Sequence, residues 1–138
     1  MPATAITPYL MFGGRCEEAL EFYRKAIGAE VVRLMRYKEA PEPPAPGMEN
    51  KIMHSTFRVG ETTIVASDGP AKGNSRFGGF SLSISAANDA ETERLFNALV
   101  EGGEVRVALT RTFFASKFGM LTDKFGVGWM VITNGPVN

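Results

Sequence analysis

The sequence predicts an α+β fold built from two βαβββ modules. Apolar residues recur with helical spacing in two places, once in each half of the 138-residue chain. Each helical pattern follows a short apolar stretch and precedes three segments that are typical of strands. The two halves meet near residue 75. We therefore expect a single domain, 1–138, composed of a first module at 1–74 and a second module at 75–138.

The first module begins with an apolar strand at 6–12, in which Pro8 favours an edge position. A helix follows, since one apolar stripe contains Cys16, Ala19, Leu20, Tyr23, Ala26 and Ile27. Gly28 ends this helix and a strand at 30–38 comes next. Four prolines make 39–50 a long exposed loop, which acts either as a lid or as a plain connection.

Segments 51–59 and 62–68 flank Gly60-Glu61 and predict a two-residue hairpin. In that register His54 faces Ser67, Thr56 faces Val65 and Arg58 faces Thr63, and these six residues share one face of the sheet. The opposite face is more apolar and is expected to pack on the helix. The more polar face is therefore predicted to line a binding cavity.

The second module begins with a strand at 79–86, in which Phe80, Leu82 and Ile84 alternate with Ser81, Ser83 and Ser85. The apolar members of this strand are expected to face the helix, and the serines to face the cavity. Asn88 is predicted to cap a helix whose buried face contains Thr92, Leu95, Phe96, Leu99 and Val100. Strands are expected near 104–109, 116–122 and 127–133.

Composition excludes several classes of partner. Fifteen Lys and Arg residues balance fifteen Asp and Glu residues, which argues against nucleic acid or an anionic membrane surface as the main partner. One cysteine rules out an internal disulfide and fits a reducing compartment. There is no apolar run of membrane-spanning length and no signal-peptide pattern. We therefore expect a cytoplasmic protein without a membrane partner.

Three segments carry a resemblance to a known family: PYLMFGGRCEEALEFYRKAIGAEV at 8–31, KIMHSTFRVGETTIVASD at 51–68 and FGMLTDKFGVGWMV at 118–131. They resemble the PhnB-like branch of the vicinal oxygen chelate superfamily, often labelled a 3-demethylubiquinone-9 3-methyltransferase domain. Glyoxalase I, extradiol dioxygenases, and fosfomycin- and bleomycin-resistance proteins belong to that superfamily. The resemblance implies two sheets around a U-shaped cavity, helices outside, a small organic ligand and a homodimer.

Metal-binding members of that superfamily take His, Gln or Glu ligands from the first, fourth, fifth and eighth strands. The resemblance places these positions at Pro8, Ser67, Ser81 and Met130. Such residues do not chelate the divalent ions that prefer imidazole and carboxylate, so we predict no metal at this site and no other cofactor. A relocated site would need His54, the only histidine, together with Asp68 or Glu49, although the register puts Asp68 on the face opposite His54.

The methyltransferase label finds no support in the motifs. A methyl donor bound in the Rossmann manner needs a strand, a glycine-rich turn and a helix. The GxG at Gly126 and Gly128 leads into a strand, and Gly13-Gly14 before the first helix is a weak signal.

Eight residues are candidates for ligand binding: His54, Thr56, Arg58, Ser67, Ser81, Ser83, Met130 and Phe114. His54 is also the candidate catalytic residue, as a general base; alternatively it is a strand histidine hydrogen-bonded to Ser67 or to backbone. Arg58 either holds an anionic group or lies in solvent near the turn. Cys16 is expected to be a small core residue rather than a reactive thiol.

Three functions remain open at this stage. The first is a metal-independent binding protein for a small organic molecule. The second is an enzyme, either a lyase or dioxygenase with a displaced metal or a catalyst that uses His54. The third is a structural or partner-binding protein whose cavity is filled by its own side chains.

Overall fold

The computed structural model describes residues 5–69 and 76–134 of the chain. The chain divides into two units, Met1–Ser75 and Arg76–Asn138. Within the described residues, each unit is a four-stranded mixed sheet with one α-helix packed against it, so the predicted α+β fold is confirmed. Neither of the two described helices has the length and apolar character needed to cross a bilayer.

The first unit runs in the order β1 (Tyr9–Met11), α1 (Cys16–Ile27), β2 (Glu30–Arg36), β3 (Ile52–Val59) and β4 (Thr62–Ser67). Its sheet has the strand order β1-β4-β3-β2, with β1 parallel to β4 and the other pairs antiparallel. The predicted hairpin register is confirmed, since Thr56 pairs with Val65 and Arg58 pairs with Thr63.

Helix α1 forms where the apolar stripe predicted it, and all six residues of the stripe are buried. Tyr23 stacks on Phe57 of β3 with ring centroids 5.8 Å apart. Burying a side chain of this size contributes about 1.5–3 kcal/mol. Gly28 ends the helix in the left-handed conformation that glycine adopts without strain. The stripe therefore fixes which face of the sheet the helix covers.

Two strands of the first unit are shorter than the sequence predicts. The predicted strand 6–12 is reduced to β1 (Tyr9–Met11), and the predicted strand 30–38 ends at Arg36. A 3-10 turn at Tyr37–Glu39 follows, because the Glu39 carboxylate accepts a hydrogen bond from the Arg36 backbone N–H (3.0 Å). Residues 40–50 contain no helix or strand, as the prolines predict.

The second unit repeats this order with β5 (Leu82–Ala86), α2 (Asp89–Val100), β6 (Glu104–Thr110), β7 (Phe118–Thr122) and β8 (Gly128–Thr133). Its sheet has the order β5-β8-β7-β6, with β5 parallel to β8. The strand connectivity is the same as in the first unit. The repeat predicted from the pattern of elements is therefore a repeat of topology.

Helix α2 begins as predicted, because the Asn88 side chain accepts a hydrogen bond from the Glu91 backbone N–H (2.9 Å). Four of the five predicted core residues are buried, whereas Val100 is only half-buried at the end of the helix. Gly119 of β7 permits close packing. A Cβ at this position would lie 2.7 Å from the Phe96 ring.

The prediction that Phe80 faces the helix is wrong. Strand β5 begins at Leu82 instead of 79, and Phe80 lies before it with half of its surface exposed. Gly79 has a φ of +74°, which breaks the extended backbone ahead of the strand. Leu82 and Ile84 pair with Trp129 and Val131 of β8, on the helix side. Phe80 therefore does not belong to the buried set that its alternating spacing predicted.

Asp68 ties the first unit together. Its carboxylate accepts hydrogen bonds from the backbone N–H groups of Gly14 (2.8 Å) and Cys16 (2.8 Å) at the start of α1. The other carboxylate oxygen accepts from the Ile52 N–H at the start of β3 (2.7 Å). The side chain is buried, so three backbone donors depend on it for a partner.

Replacing Asp68 by Asn is expected to lower the free energy of unfolding by about 2–3 kcal/mol, because an amide N–H₂ would face a backbone donor and a charged acceptor would be lost. Urea unfolding followed by circular dichroism measures this. Glu42→Gln on the exposed proline loop is the control, with an expected change within about 0.5 kcal/mol. Equal stability of the Asp68→Asn and control variants would contradict the role of Asp68.

Candidate functional site

The first sheet has one face without a helix. In β3, the residues Ser55 and Phe57 are buried beneath α1, whereas His54 and Thr56 point the opposite way and are half-buried. The strand register assigns their neighbours to the same face. We call this surface the helix-free face of the first sheet; it consists of Tyr9, Met11, Met35, His54, Thr56, Val65 and Ser67.

His54 lies in the middle of this face. Met35 of β2 is its partner in the register, and on the other side the pairing of β3 with β4 begins at the next residue, Ser55. The imidazole makes no hydrogen bond with any other residue that the structure describes. The predicted alternative, a histidine held by Ser67 or backbone, is therefore wrong: its ring nitrogens are available to a ligand.

Ser67 has a different partner from the one expected. The Tyr9 hydroxyl donates a hydrogen bond to Ser67 Oγ (3.2 Å), and Ser67 is only 2% exposed. Tyr9 itself is about half exposed. The hydroxyl pair therefore joins a buried serine to the accessible surface, where Tyr9 is a functional candidate that sequence reasoning overlooked.

Tyr37 is a second overlooked tyrosine near this face. Burial raises the pKa of its hydroxyl, and the negative charge of Asp68 and the nearby Tyr9 raise it further. The neutral hydroxyl is thus favoured, and it can donate a hydrogen bond. No motif marks Tyr37 in the sequence, because its position depends on the turn that ends β2.

Arg58 lies at the far end of the same sheet. Its guanidinium forms an ion pair with Glu30, its register partner on β2, and the side chain is 49% exposed. Exposed pairs of this kind contribute little to stability. The arginine is thus satisfied within the sheet, which favours the second of the two predicted alternatives.

The second sheet also has one face without a helix. Trp129, Val131 and Thr133 of β8 are buried toward α2, while Met130 between them points the other way. In the register Met130 pairs with Ser83 on one side and with Met120 on the other. We call this surface the helix-free face of the second sheet; it consists of Ser83, Val107, Phe118, Met120, Met130 and Ile132.

A groove of about 420 Å³ lies in the second unit. Its walls are formed by residues that precede β5 and by residues of β6 and β7. Four glycines also line the groove, and they add no side chain to it. Ser81 lines the groove beside Gly128, where an added Cβ would approach Ser81 Oγ to 3.1 Å. The side chains that line it include Phe77, Phe80, Ser81, Arg106, Val107 and Met120.

The aromatic residues between positions 113 and 129 lie in two different environments. Phe114 packs edge-on against Phe113 and Phe118, with ring centroids 5.1 Å apart in both pairs. Trp129 instead donates its indole N–H to the buried Asp123 carboxylate (2.9 Å) on the helix side. Phe114 is about half exposed and remains a ligand-binding candidate; Trp129 is a core residue.

The sequence profile of the family described as 3-demethylubiquinone-9 3-methyltransferase matches residues 4–132. The chain belongs to this family. Protein YjdN of Escherichia coli (strain K12) is 32% identical over 136 residues, which cover 91% of this chain and 92% of that protein.

Two solved structures are similar over nearly their full length. Protein PA1353 from Pseudomonas aeruginosa is 42% identical, covers 96% of this chain and 98% of its own, and has a TM-score of 0.85. The putative 3-demethylubiquinone-9 3-methyltransferase PhnB from Bacillus cereus is 29% identical, covers 95% and 100%, and has a TM-score of 0.81.

The fold alone is shared with the fosfomycin resistance protein FosX from Mesorhizobium loti, which is 12% identical with a TM-score of 0.64 over 98% of this chain and 94% of its own. The recognition of a PhnB-like member of the vicinal oxygen chelate superfamily is confirmed by these matches.

The superfamily's metal positions do not fit a divalent ion in this chain. Pro8 offers no side-chain ligand, Ser67 is committed to Tyr9, and Met130 presents a soft thioether. Both oxygens of Asp68 bind backbone N–H groups, which removes it as a partner for His54 in a relocated site. Across residues 5–69 and 76–134, no three His, Cys, Asp or Glu side chains come together as a metal site.

Cys16 belongs to the core of the first unit. The side chain is fully buried, with Sγ 4.0 Å from Ser55 Oγ. Burial raises the pKa of the thiol from 9.0 to about 12, and the charge of Asp68 adds to the increase. The expected core role is supported, since the reactive species of a cysteine is its thiolate.

We expect Cys16 to resist a thiol reagent in the native protein at pH 8 and to react within minutes once urea unfolds the chain. Because the folded pKa lies above the unfolded one, the thiol's contribution to stability is complete below the unfolded pKa and is lost as the pH rises above about 9. Cys16→Ala should therefore show less loss of stability than the wild type between pH 8 and 10. Rapid labelling of the native wild type would contradict this assignment.

Proposed function

We propose that the protein binds a small organic molecule on the helix-free faces of its sheets, without help from a metal at the superfamily's usual positions. One observation carries this proposal. Each helix buries one face of its sheet, and the other face leaves large apolar side chains half exposed around a few polar groups. Sites for small organic molecules have this composition. The proposed ligand-contacting residues are seven of the eight predicted from the sequence, together with Tyr9; Arg58 is left out because its guanidinium pairs with Glu30.

The polar groups on these faces are few and spaced apart. On the first sheet, His54, Thr56 and the Tyr9–Ser67 hydroxyl pair offer both donors and acceptors. On the second sheet, Ser81 and Ser83 flank a surface formed by Met120 and Met130. A ligand with one or two polar groups on an apolar skeleton matches this arrangement, and methionine side chains adapt to its shape.

Transfer of a methyl group receives little support from the geometry. The β1–α1–β2 segment does not form adjacent parallel strands, because β1 and β2 lie at opposite edges of their sheet. The Gly14 and Cys16 N–H groups at the start of α1 are occupied by Asp68. A Rossmann-type site for a methyl donor uses the features that are missing from this segment.

A structural role with a self-filled interior is the weaker alternative for the second unit. The groove beside Ser81 has a volume of about 420 Å³, which is within the range of small-molecule sites. A homodimer remains a proposal based on the family resemblance. It gains support from the exposed edge strands β2 and β6, whose outward backbone groups are available for pairing.

Catalysis by His54 is the second candidate function, and a specific observation favours it. The imidazole is half-buried, makes no hydrogen bond within the described residues and can take a proton from a bound molecule. This alternative is compatible with binding on the same face, since it adds a proton transfer to the bound ligand.

A small-molecule set should contain compounds that raise the melting temperature, and their binding should shift the methionine methyl resonances of the helix-free faces. With ¹³C-methyl methionine labelling, Met11 and Met35 report on the first sheet, and Met120 and Met130 on the second. Met48, a buried residue of the proline loop, is the internal control. Stabilising compounds that shift only Met48 would refute the proposed location, and a set without any stabilising compound would refute the function.

If His54 acts as a general base, His54→Ala should reduce any turnover that is found by about 10²–10⁴-fold while the protein still folds. The His54→Asn variant should be equally inactive, because an amide does not take up a proton near neutral pH. Thr62→Ala, an exposed position beside the hairpin turn with its side chain on the opposite face of β4, is the matched control. Turnover that survives in both His54 variants would end the catalytic version of the proposal, whereas ligand binding would be unaffected by that result.

A further inference from the structure

The groove in the second unit contains a guanidinium with an unusual set of contacts. Arg106 Nε donates to Thr122 Oγ1 (2.9 Å) and lies 3.5 Å from a Glu104 carboxylate oxygen. These contacts use one nitrogen only. Among the residues that the structure describes, neither terminal nitrogen of Arg106 has an acceptor. The contacts at Nε therefore orient the guanidinium, while its two terminal nitrogens, which we call the outer fork, are accessible to a ligand.

Five of the other arginines use their forks internally. In five ion pairs a terminal nitrogen of the arginine contacts a glutamate: Arg15–Glu18, Arg24–Glu21, Arg36–Glu17, Arg58–Glu30 and Arg94–Glu91. Arg106 departs from this pattern, although an acidic neighbour is close in sequence. Two parallel N–H groups that are held in one plane match the two oxygens of a carboxylate.

Beside the polar Ser81 and Thr122, the groove is lined by apolar side chains, several of them accessible. Phe80 is 50% exposed and Val107 is 38% exposed, while Met120 lies between them and the rest of the helix-free face. Aromatic rings that stay exposed at a groove offer a flat surface for stacking. The displacement of Phe80 from the predicted strand therefore places an exposed ring at the groove, where a planar ligand can stack.

Charge narrows the class of ligand further. Among the described residues that line the groove, Arg106 is the only charged one. A neutral ligand would leave the exposed fork to water, and a cation would be repelled by the guanidinium. A monoanion would satisfy it, and the Ser81 hydroxyl is available for one more hydrogen bond.

We infer that this groove binds a planar, largely apolar carboxylate, with the carboxylate on the outer fork of Arg106 and the ring system against Phe80 and Met120. This inference rests on the proposed function and specifies its ligand class and one of its sites. It assigns to Arg106 the anion-binding role that the sequence suggested for Arg58.

Three naphthalene probes of equal shape test the inference: 1-naphthoate, 1-naphthylmethanol and 1-naphthylmethylammonium. Titrations monitored by the Met120 methyl resonance should give the order naphthoate, then alcohol, then ammonium. Arg106→Gln should weaken naphthoate binding about tenfold and leave the alcohol unchanged, because only the charged hydrogen bonds are lost. Arg106→Lys should recover part of the affinity, since it restores the charge without the fork.

Arg94→Gln is the matched control, because Arg94 has a similar exposure on α2 but pairs with Glu91. It should bind all three probes as the wild type does, while Phe80→Ala should weaken naphthoate and alcohol alike. Equal affinity of the wild type for naphthoate and alcohol, or equal losses in the Arg94 and Arg106 variants, would overturn the inference. Stabilising compounds that shift Met11 or Met35 but never Met120 would overturn it and leave the proposed function standing; the absence of any binding compound would remove both.

Discussion

The buried carboxylate of Asp68 is the interaction on which the first unit depends. It follows the last residue of β4, and its two oxygens reach the start of α1 and the start of β3. A carboxylate that accepts three backbone hydrogen bonds replaces water for donors that the fold would otherwise leave unsatisfied. It also fixes where the helix begins relative to the sheet. The face that α1 covers, and hence the face left for a ligand, follows from this junction.

The second unit also contains a buried carboxylate that accepts backbone hydrogen bonds, although it lies in a turn between two strands. The Asp123 carboxylate accepts from the backbone N–H groups of Phe125 and Val127 in the turn between β7 and β8, and from the Trp129 indole at the start of β8. Here the carboxylate shapes a local turn, and Asn88 caps the helix separately. Each unit thus uses a buried acidic residue to join its last strands to the core. The oxygens of both carboxylates accept hydrogen bonds within the fold, which explains why the two buried aspartates do not contribute to a metal site.

Each sheet is covered by a helix on one face only, and this connects the architecture to function. A sheet that is covered by a single helix buries only alternate residues of each strand, so the other set remains for recognition. Membership of the 3-demethylubiquinone-9 3-methyltransferase family establishes the fold, while chemistry resides in the particular side chains on these faces. In this chain they are serines, methionines, a tyrosine, one histidine and an arginine with an open fork. That set favours hydrogen bonding and apolar contact over metal chelation.

The sequence by itself determined the helices, the hairpin register and the alternation that assigns His54 and Met130 each to the helix-free face of its own sheet. These features depend on periods of 3.6 and 2 residues and on a glycine turn, all of which act over short distances. It did not determine the partners of Asp68, which lie 16 to 54 residues away, or the Tyr9–Ser67 contact across 58 residues. The exposure of Phe80 and the orientation of Arg106 were likewise decided by the tertiary structure. Such contacts arise only when strand ends and turns are brought together, and no local pattern encodes which donor will meet which acceptor.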